Sequence, residues 1–108
     1  MPIVTVIHPE HSAGTDLLTR VADAVSDSLG LGPGDVIAMG TPVLAAVASG
    51  GAATHPWPVV TIHGSDRGRE AHGRACDAAS GAVADWAEEH GIRIEGTWSE
   101  WITPQPSA

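Results

Sequence analysis

Pro2-Ile3-Val4-Thr5-Val6-Ile7-His8 and Pro58-Val59-Val60-Thr61-Ile62-His63 are, allowing one gap, the same strand written twice. Both are short runs rich in β-branched residues, and each is opened by a proline, which a strand tolerates at its first residue. A polar turn and a helical pattern follow each copy. In the first half Leu18, Val21, Ala22, Val25 and Leu29 recur at helical spacing and form one apolar stripe. Thr15 or Asp16 is the expected cap at its start, and Gly30 is suited to the left-handed position at its end. Gly32-Pro33-Gly34 then turns the chain into a second strand, Asp35 to Met39.

The second half repeats the plan. Ala71, Ala75, Ala78, Ala79, Ala82 and Trp86 mark a helix with a face of mostly small residues, and His90-Gly91 ends it. Ile92-Arg93-Ile94 alternates apolar and charged residues and is predicted to open the last strand. Between the halves, residues 40–56 are rich in Gly, Ala and Pro, with a short helical turn expected over Val43 to Ala48. Each half therefore reads β-α-β, which implies a right-handed crossover and a parallel strand pair. The expected architecture is one α/β domain over residues 1–108, with halves at about 2–40 and 58–102 and a loose tail at 103–108. Its four-stranded sheet carries both helices on one face. The other face stays apolar, so an oligomer is expected to cover it.

Composition excludes several classes. The chain has 108 residues, 43% of them hydrophobic, which is too apolar for a disordered chain. No apolar run approaches the roughly 20 residues that span a bilayer. No basic start with an apolar stretch and a small-residue cleavage site is seen, so a cytoplasmic protein is expected. The net charge is −8, and the cations are five arginines with no lysine. Such a surface repels phosphate backbones and argues against nucleic-acid binding. Cys76 is alone, which leaves no internal disulfide or cysteine-based metal site and reads as a small apolar helix residue. Among the six histidines, His8 and His11 flank Pro9, which opposes a helix holding both. His8 and His63 occupy equivalent repeat positions, where two imidazoles could meet on zinc, but no metal and no cofactor is expected.

Two features carry chemistry. A small second residue such as Pro2 permits removal of the initiator Met, which leaves a secondary amine. A terminal amine has a reference pKa near about 8. An apolar seat and nearby arginines both disfavour its protonated form, so it becomes a base suited to taking a proton beside a carbonyl. If Met1 stays, the Pro2 nitrogen is an amide and has no such role. The second feature is Arg67-Gly68-Arg69, just after the strand Val59 to His63. Two guanidinium groups at this spacing suit one carboxylate, which they grip in bidentate fashion. The same spacing also fits two solvated loop charges.

Met1-Pro2 running straight into a strand, with β-α-β twice in just over 100 residues, resembles the tautomerase superfamily. That superfamily holds the 4-oxalocrotonate tautomerases, macrophage migration inhibitory factor, the malonate semialdehyde decarboxylases and the haloacrylic acid dehalogenases. The resemblance spans nearly the whole chain outside the tail and residues 40–56. It implies a mixed sheet, a homotrimer, Pro2 as acid/base, and a small carboxylate substrate. The pattern of Pro2, Asp35, Arg67 and Arg69 is most similar to the malonate semialdehyde decarboxylases, where the paired arginines bind the carboxylate and an acidic residue opens the second strand. Asp35 also fits as a plain turn residue after Gly-Pro-Gly. Trp98 and Trp101 stand where the family places aromatics at the pocket rim, and they equally suit interface packing, whereas Trp57 and Trp86 read as packing. The chain departs from the 4-oxalocrotonate tautomerases at Ser12 and Ile37, where those carry arginines, so it is not expected to bind a dicarboxylate in their way. Glu100 matches the dehalogenases' extra acidic residue by location only. The expected activity is tautomerase-type isomerisation. The alternatives are decarboxylation or hydration of a three-carbon acid, and a non-catalytic binding protein with a blocked Pro2.

Overall fold

A computed structural model describes residues 1–105; the last three residues of the expected tail, 106–108, lie outside the described residues. The elements run β1 (Ile3–Pro9), α1 (Gly14–Leu29), β2 (Ile37–Val43), a short 3₁₀ turn (Ser49–Gly51), β3 (Val59–His63), α2 (Arg69–Glu89) and β4 (Trp98–Ile102). The strands form one sheet in the order β2-β1-β3-β4. β1 pairs parallel with β2, and β3 with β4, while β1 and β3 meet antiparallel. The two β-α-β halves are thus joined at the centre of a mixed sheet, as their repeated strands require.

The alternation of each strand decides which residues enter the core. Val4, Val6, Val60 and Ile62 face the helices and are buried. From α1 they meet Leu17, Val21 and Val25, and from α2 they meet Ala75, Ala79, Val83, Trp86 and Ala87. The small residues of α2 are needed because that helix packs closely against both α1 and the sheet. Trp86 fills the gap they leave and donates its indole N–H to the Ala13 carbonyl at 3.0 Å. Burial of each large apolar side chain contributes about 1.5–3 kcal/mol. The centre of the α1 stripe is Leu17, one residue before the predicted Leu18, which packs at the margin of the core. Arg20 ties the helices together at the surface, pairing with Asp16 at 2.9 Å and with Glu89 of α2.

Several local expectations change. α1 starts at Gly14 after Ala13, with no side-chain cap from Thr15 or Asp16; instead the Ala13 N–H donates to His11 Nδ1 at 2.9 Å. Gly30 does close the helix in the left-handed conformation, with φ 68°. Val43 to Ala48 form no helical turn; the single 3₁₀ turn among the described residues comes at Ser49–Gly51. The last strand begins at Trp98, not at Ile92. Ile92 and Ile94 pack against the core from a non-strand segment, held by Ile92 N–H to the Ala87 carbonyl and Glu95 N–H to the Pro56 carbonyl.

The face opposite the helices is open and carries exposed apolar side chains, with Glu100 at its β4 edge. Ile37, Met39, Ile7, Trp98 and Ile102 lie on it, all exposed, around a central Thr5–Thr61 pair. No described helix is long and apolar enough to cross a membrane.

Candidate active site

The N-terminal end of β1 gathers most of the predicted residues. Pro2 is fully buried directly before the strand, and its carbonyl accepts the Ile37 N–H at 3.2 Å. That bond draws the start of β2 to Pro2, so Asp35 comes to the same end of the sheet. β3 runs antiparallel to β1, and His63 pairs with Ile3. The chain leaving β3 therefore passes Pro2, and Arg67 and Arg69 follow within six residues. Three chain segments distant in sequence come to this end because strand polarity brings their ends together.

Asp35 is partly committed to its turn. Its Oδ2 accepts the Gly32 N–H at 2.9 Å, and its own N–H donates to the Gly32 carbonyl at 3.1 Å. Arg67 is exposed in the loop, whereas Arg69 is the first residue of α2 rather than a loop residue. Neither guanidinium has an ion pair among the described residues. Gly68 between them has φ 91° and ψ 151°, a conformation that L side chains rarely adopt. This glycine turns the chain into the helix and sets how the two arginines project.

The loop is tied by side chains that the sequence reading did not single out. Asp66 Oδ1 accepts the Gly68 N–H at 2.9 Å, and His72 Nε2 accepts the Arg67 N–H at 2.9 Å. His72 lies flat against Trp101, with ring centroids 4.4 Å apart and planes 12° from parallel. Trp101 in turn covers Gly64, where an added Cβ would stand 2.8 Å from the indole. The indole N–H of Trp101 is buried and has no hydrogen-bond partner among the described residues. The visible signal for this network was Asp66-x-Gly68 before the helix, an Asx-turn pattern, with a histidine one turn inside the helix.

The two proposed rim tryptophans part company. Trp101 is on the helix side of β4, beside the arginine loop. Trp98, three residues earlier, is on the open face and pairs with Val59 at the far end of the sheet. There it stacks on Trp57, with centroids 6.0 Å apart. Within one chain, Trp98 is not brought to Pro2. Trp57 is about half exposed and not a core residue, while Trp86 is fully buried. His8 and His63 also fall at opposite ends of the sheet, because the two halves pair antiparallel. A cavity of ≈ 590 Å³ lies at the end away from Pro2, under residues 43–47 and 54–58, and contains none of the predicted catalytic residues. Pro2, Asp35 and the arginine segment lie instead at the opposite end of the sheet.

No family model matches the sequence, and no curated protein matches it. Solved structures do match. A fused 4-OT solved as an asymmetric trimer has 18% identity over 98% of this chain and 90% of its own, with a TM-score of 0.76. The chain has the tautomerase-superfamily fold. A malonate semialdehyde decarboxylase superposes with a TM-score of 0.63 at 13% identity, over 95% of this chain and 84% of its own. Leishmania major MIF2 gives 0.66 at 14% identity, over 100% and 92%. Each of these matches covers both halves of the chain.

Proposed function

We propose that this chain is an enzyme that moves a proton on a small keto, enol or unsaturated carboxylic acid, with the amine of Pro2 as acid/base after removal of Met1. The observation that carries this reading is the convergence of a fully buried Pro2 with Asp35, Arg67 and Arg69 at one end of the sheet. In the processed chain, the buried ring holds the amine out of bulk water. Burial and the positive charge of the loop both disfavour its protonated form. The neutral amine takes a proton from the enol hydroxyl, or from the carbon beside the carbonyl, and the protonated amine returns it to the other end of the resulting enolate, carbon or oxygen. Arg67 and Arg69 bind the carboxylate and stabilise charge developing on the carbonyl oxygen. Asp35 has one oxygen engaged in its turn, and the other orients Pro2 or a water. The apolar open face of the sheet supports assembly as a homotrimer, in which a neighbouring chain completes the walls of the site. A cytoplasmic location fits this chemistry.

Decarboxylation or hydration of a three-carbon acid is a second reading, favoured by Asp35 at the Pro2 end of the sheet together with the Arg-x-Arg spacing. A binding protein is the reading that follows if Pro2 stays blocked. The intact mass of the mature protein separates enzyme from binder through loss or retention of Met1. Pro2→Ala in the processed protein is expected to lower turnover of phenylenolpyruvate about 10²-fold. Malonate semialdehyde and haloacrylates separate the two catalytic readings. Unchanged turnover in a cleanly processed Pro2→Ala protein rules out the mechanism.

A further inference from the structure

We propose that His72 is the positioning residue of the arginine pair: its imidazole, clamped against Trp101, holds the backbone of Arg67 and so sets where the Arg67 guanidinium points. The inference rests on the reading of Arg67 and Arg69 as the carboxylate clamp and adds to it the residue on which their geometry depends.

Three observations carry it. First, the Arg67 N–H donates to His72 Nε2 at 2.9 Å. This bond uses Nε2 as the acceptor, which assigns the ring proton to Nδ1. Second, the ring is not free to swing. It is stacked on Trp101, whose own position is fixed by the bare backbone of Gly64 beneath it. Third, the loop has a second tie, from the Gly68 N–H to Asp66 Oδ1, and Asp66 Oδ1 lies 3.6 Å from His72 Nε2. The amides on either side of the Arg67 peptide unit are therefore each held by a side chain. An arginine side chain has many rotamers, and its direction is useful for a fixed carboxylate only if its backbone is fixed. Arg69 needs no such device because it is already within α2.

The helix geometry explains why a histidine does this. His72 is the fourth residue of α2, and its own N–H makes the first helical bond, to the Gly68 carbonyl at 3.1 Å. A side chain at this point folds back over the open N-terminus, where backbone N–H groups lack helical partners. Glutamine can make a similar reach with its amide oxygen, as it does in capping boxes. Phenylalanine can keep the stack on Trp101 but offers no acceptor.

The experiment uses the processed full chain labelled with ¹⁵N and titrated with phenylpyruvate as the carboxylate probe. The wild-type imidazole is expected to show the Nδ1–H tautomer, and the Arg67 amide to be protected from solvent exchange. His72→Phe is expected to lose that protection and to weaken phenylpyruvate binding about three- to tenfold, the scale of one net hydrogen bond. His72→Gln is expected to restore most of the binding while still melting below wild type, because it lacks the stack; a merely structural histidine predicts that binding follows melting temperature in both variants. Arg67→Ala and Arg69→Ala serve as the reference. If these two weaken binding but His72→Phe does not, the positioning role is overturned and the clamp stands. If neither arginine variant changes binding, or if phenylpyruvate does not bind at millimolar concentration, the clamp itself falls. Should His72→Phe fail to fold, an Nε2–H tautomer in the wild-type spectrum overturns the proposal, and the Nδ1–H tautomer with a protected Arg67 amide supports it.

Discussion

Gly68→Ala isolates the backbone conformation that places the two arginines. Gly68 has φ 91° and ψ 151°, and an added Cβ would meet nothing within 4 Å. No steric contact accompanies the substitution, so its whole cost is the conformational cost of an L residue in a region nearly confined to glycine. That cost is about 1–3 kcal/mol. In a domain near this size each 1 kcal/mol lowers the melting temperature by about 4–8 °C. Gly81 provides the opposite case. It too has open space around it, but it lies within α2 with no positive φ. Gly81→Ala is expected to stabilise by about 0.5–1 kcal/mol, because alanine is the better helix residue.

Thermal melts of both variants at one protein concentration give the comparison, since assembly makes melting concentration-dependent. Phenylpyruvate binding is the second readout. Relaxation of Gly68→Ala toward negative φ rotates the peptide between Arg67 and Gly68, breaks the Asp66 tie, and spreads the arginines apart. Binding is expected to weaken about tenfold, whereas Gly81→Ala leaves it unchanged. If both alanines shift the melt in the same direction, the conformational argument fails. If Gly68→Ala melts low but binds normally, the glycine matters for the loop and not for the site.

Two further outcomes are expected. Light scattering at micromolar concentration should give a trimer of the 11.0 kDa chain, and Met39→Glu on the open face should yield monomer with red-shifted emission from the exposed Trp57–Trp98 pair; a wild-type monomer counts against the assembled site. Partial burial pushes the Cys76 thiol above its usual range, and the nearby Asp77 and Glu100 carboxylates add to this, so iodoacetamide should alkylate it more slowly than a free cysteine peptide at about pH 8, and an equal or faster rate contradicts the half-buried placement.

The repeated strand made the fold legible before any coordinate. Its two copies fix two parallel pairs through the helical crossovers, and a sheet of four follows. The Ile92–Ile94 alternation misled because it is the period of a strand, yet core packing also satisfies two half-buried isoleucines without ladder bonds. That error hid the parity of β4. With the strand starting at Trp98, residues 98 and 101 are an odd number apart and must face opposite sides of the sheet. One family-derived role could not hold for both within a chain. Trp101 reached the site, and Trp98 joined the open face.

The site was legible to the extent that it is made of strand ends. Pro2 precedes β1, Asp35 precedes β2, and the arginine loop follows β3, so antiparallel pairing of the halves suffices to collect them. What spacing did not reveal is how the arginines are aimed. In an extended segment, residues two apart point the same way, and Arg67-Gly68-Arg69 invites that reading. Instead, positive φ at Gly68 breaks the extension and α2 begins at Arg69. The alignment of the pair then depends on groups outside the motif: Asp66 and His72 on backbone amides, Trp101 behind the imidazole, and the absent side chain of Gly64 behind Trp101. Each of these residues looks ordinary alone, and their joint effect exists only once β4 is set beside β3. The carboxylate clamp proposed for the two arginines takes its precision from the neighbours that leave one of them a single backbone direction.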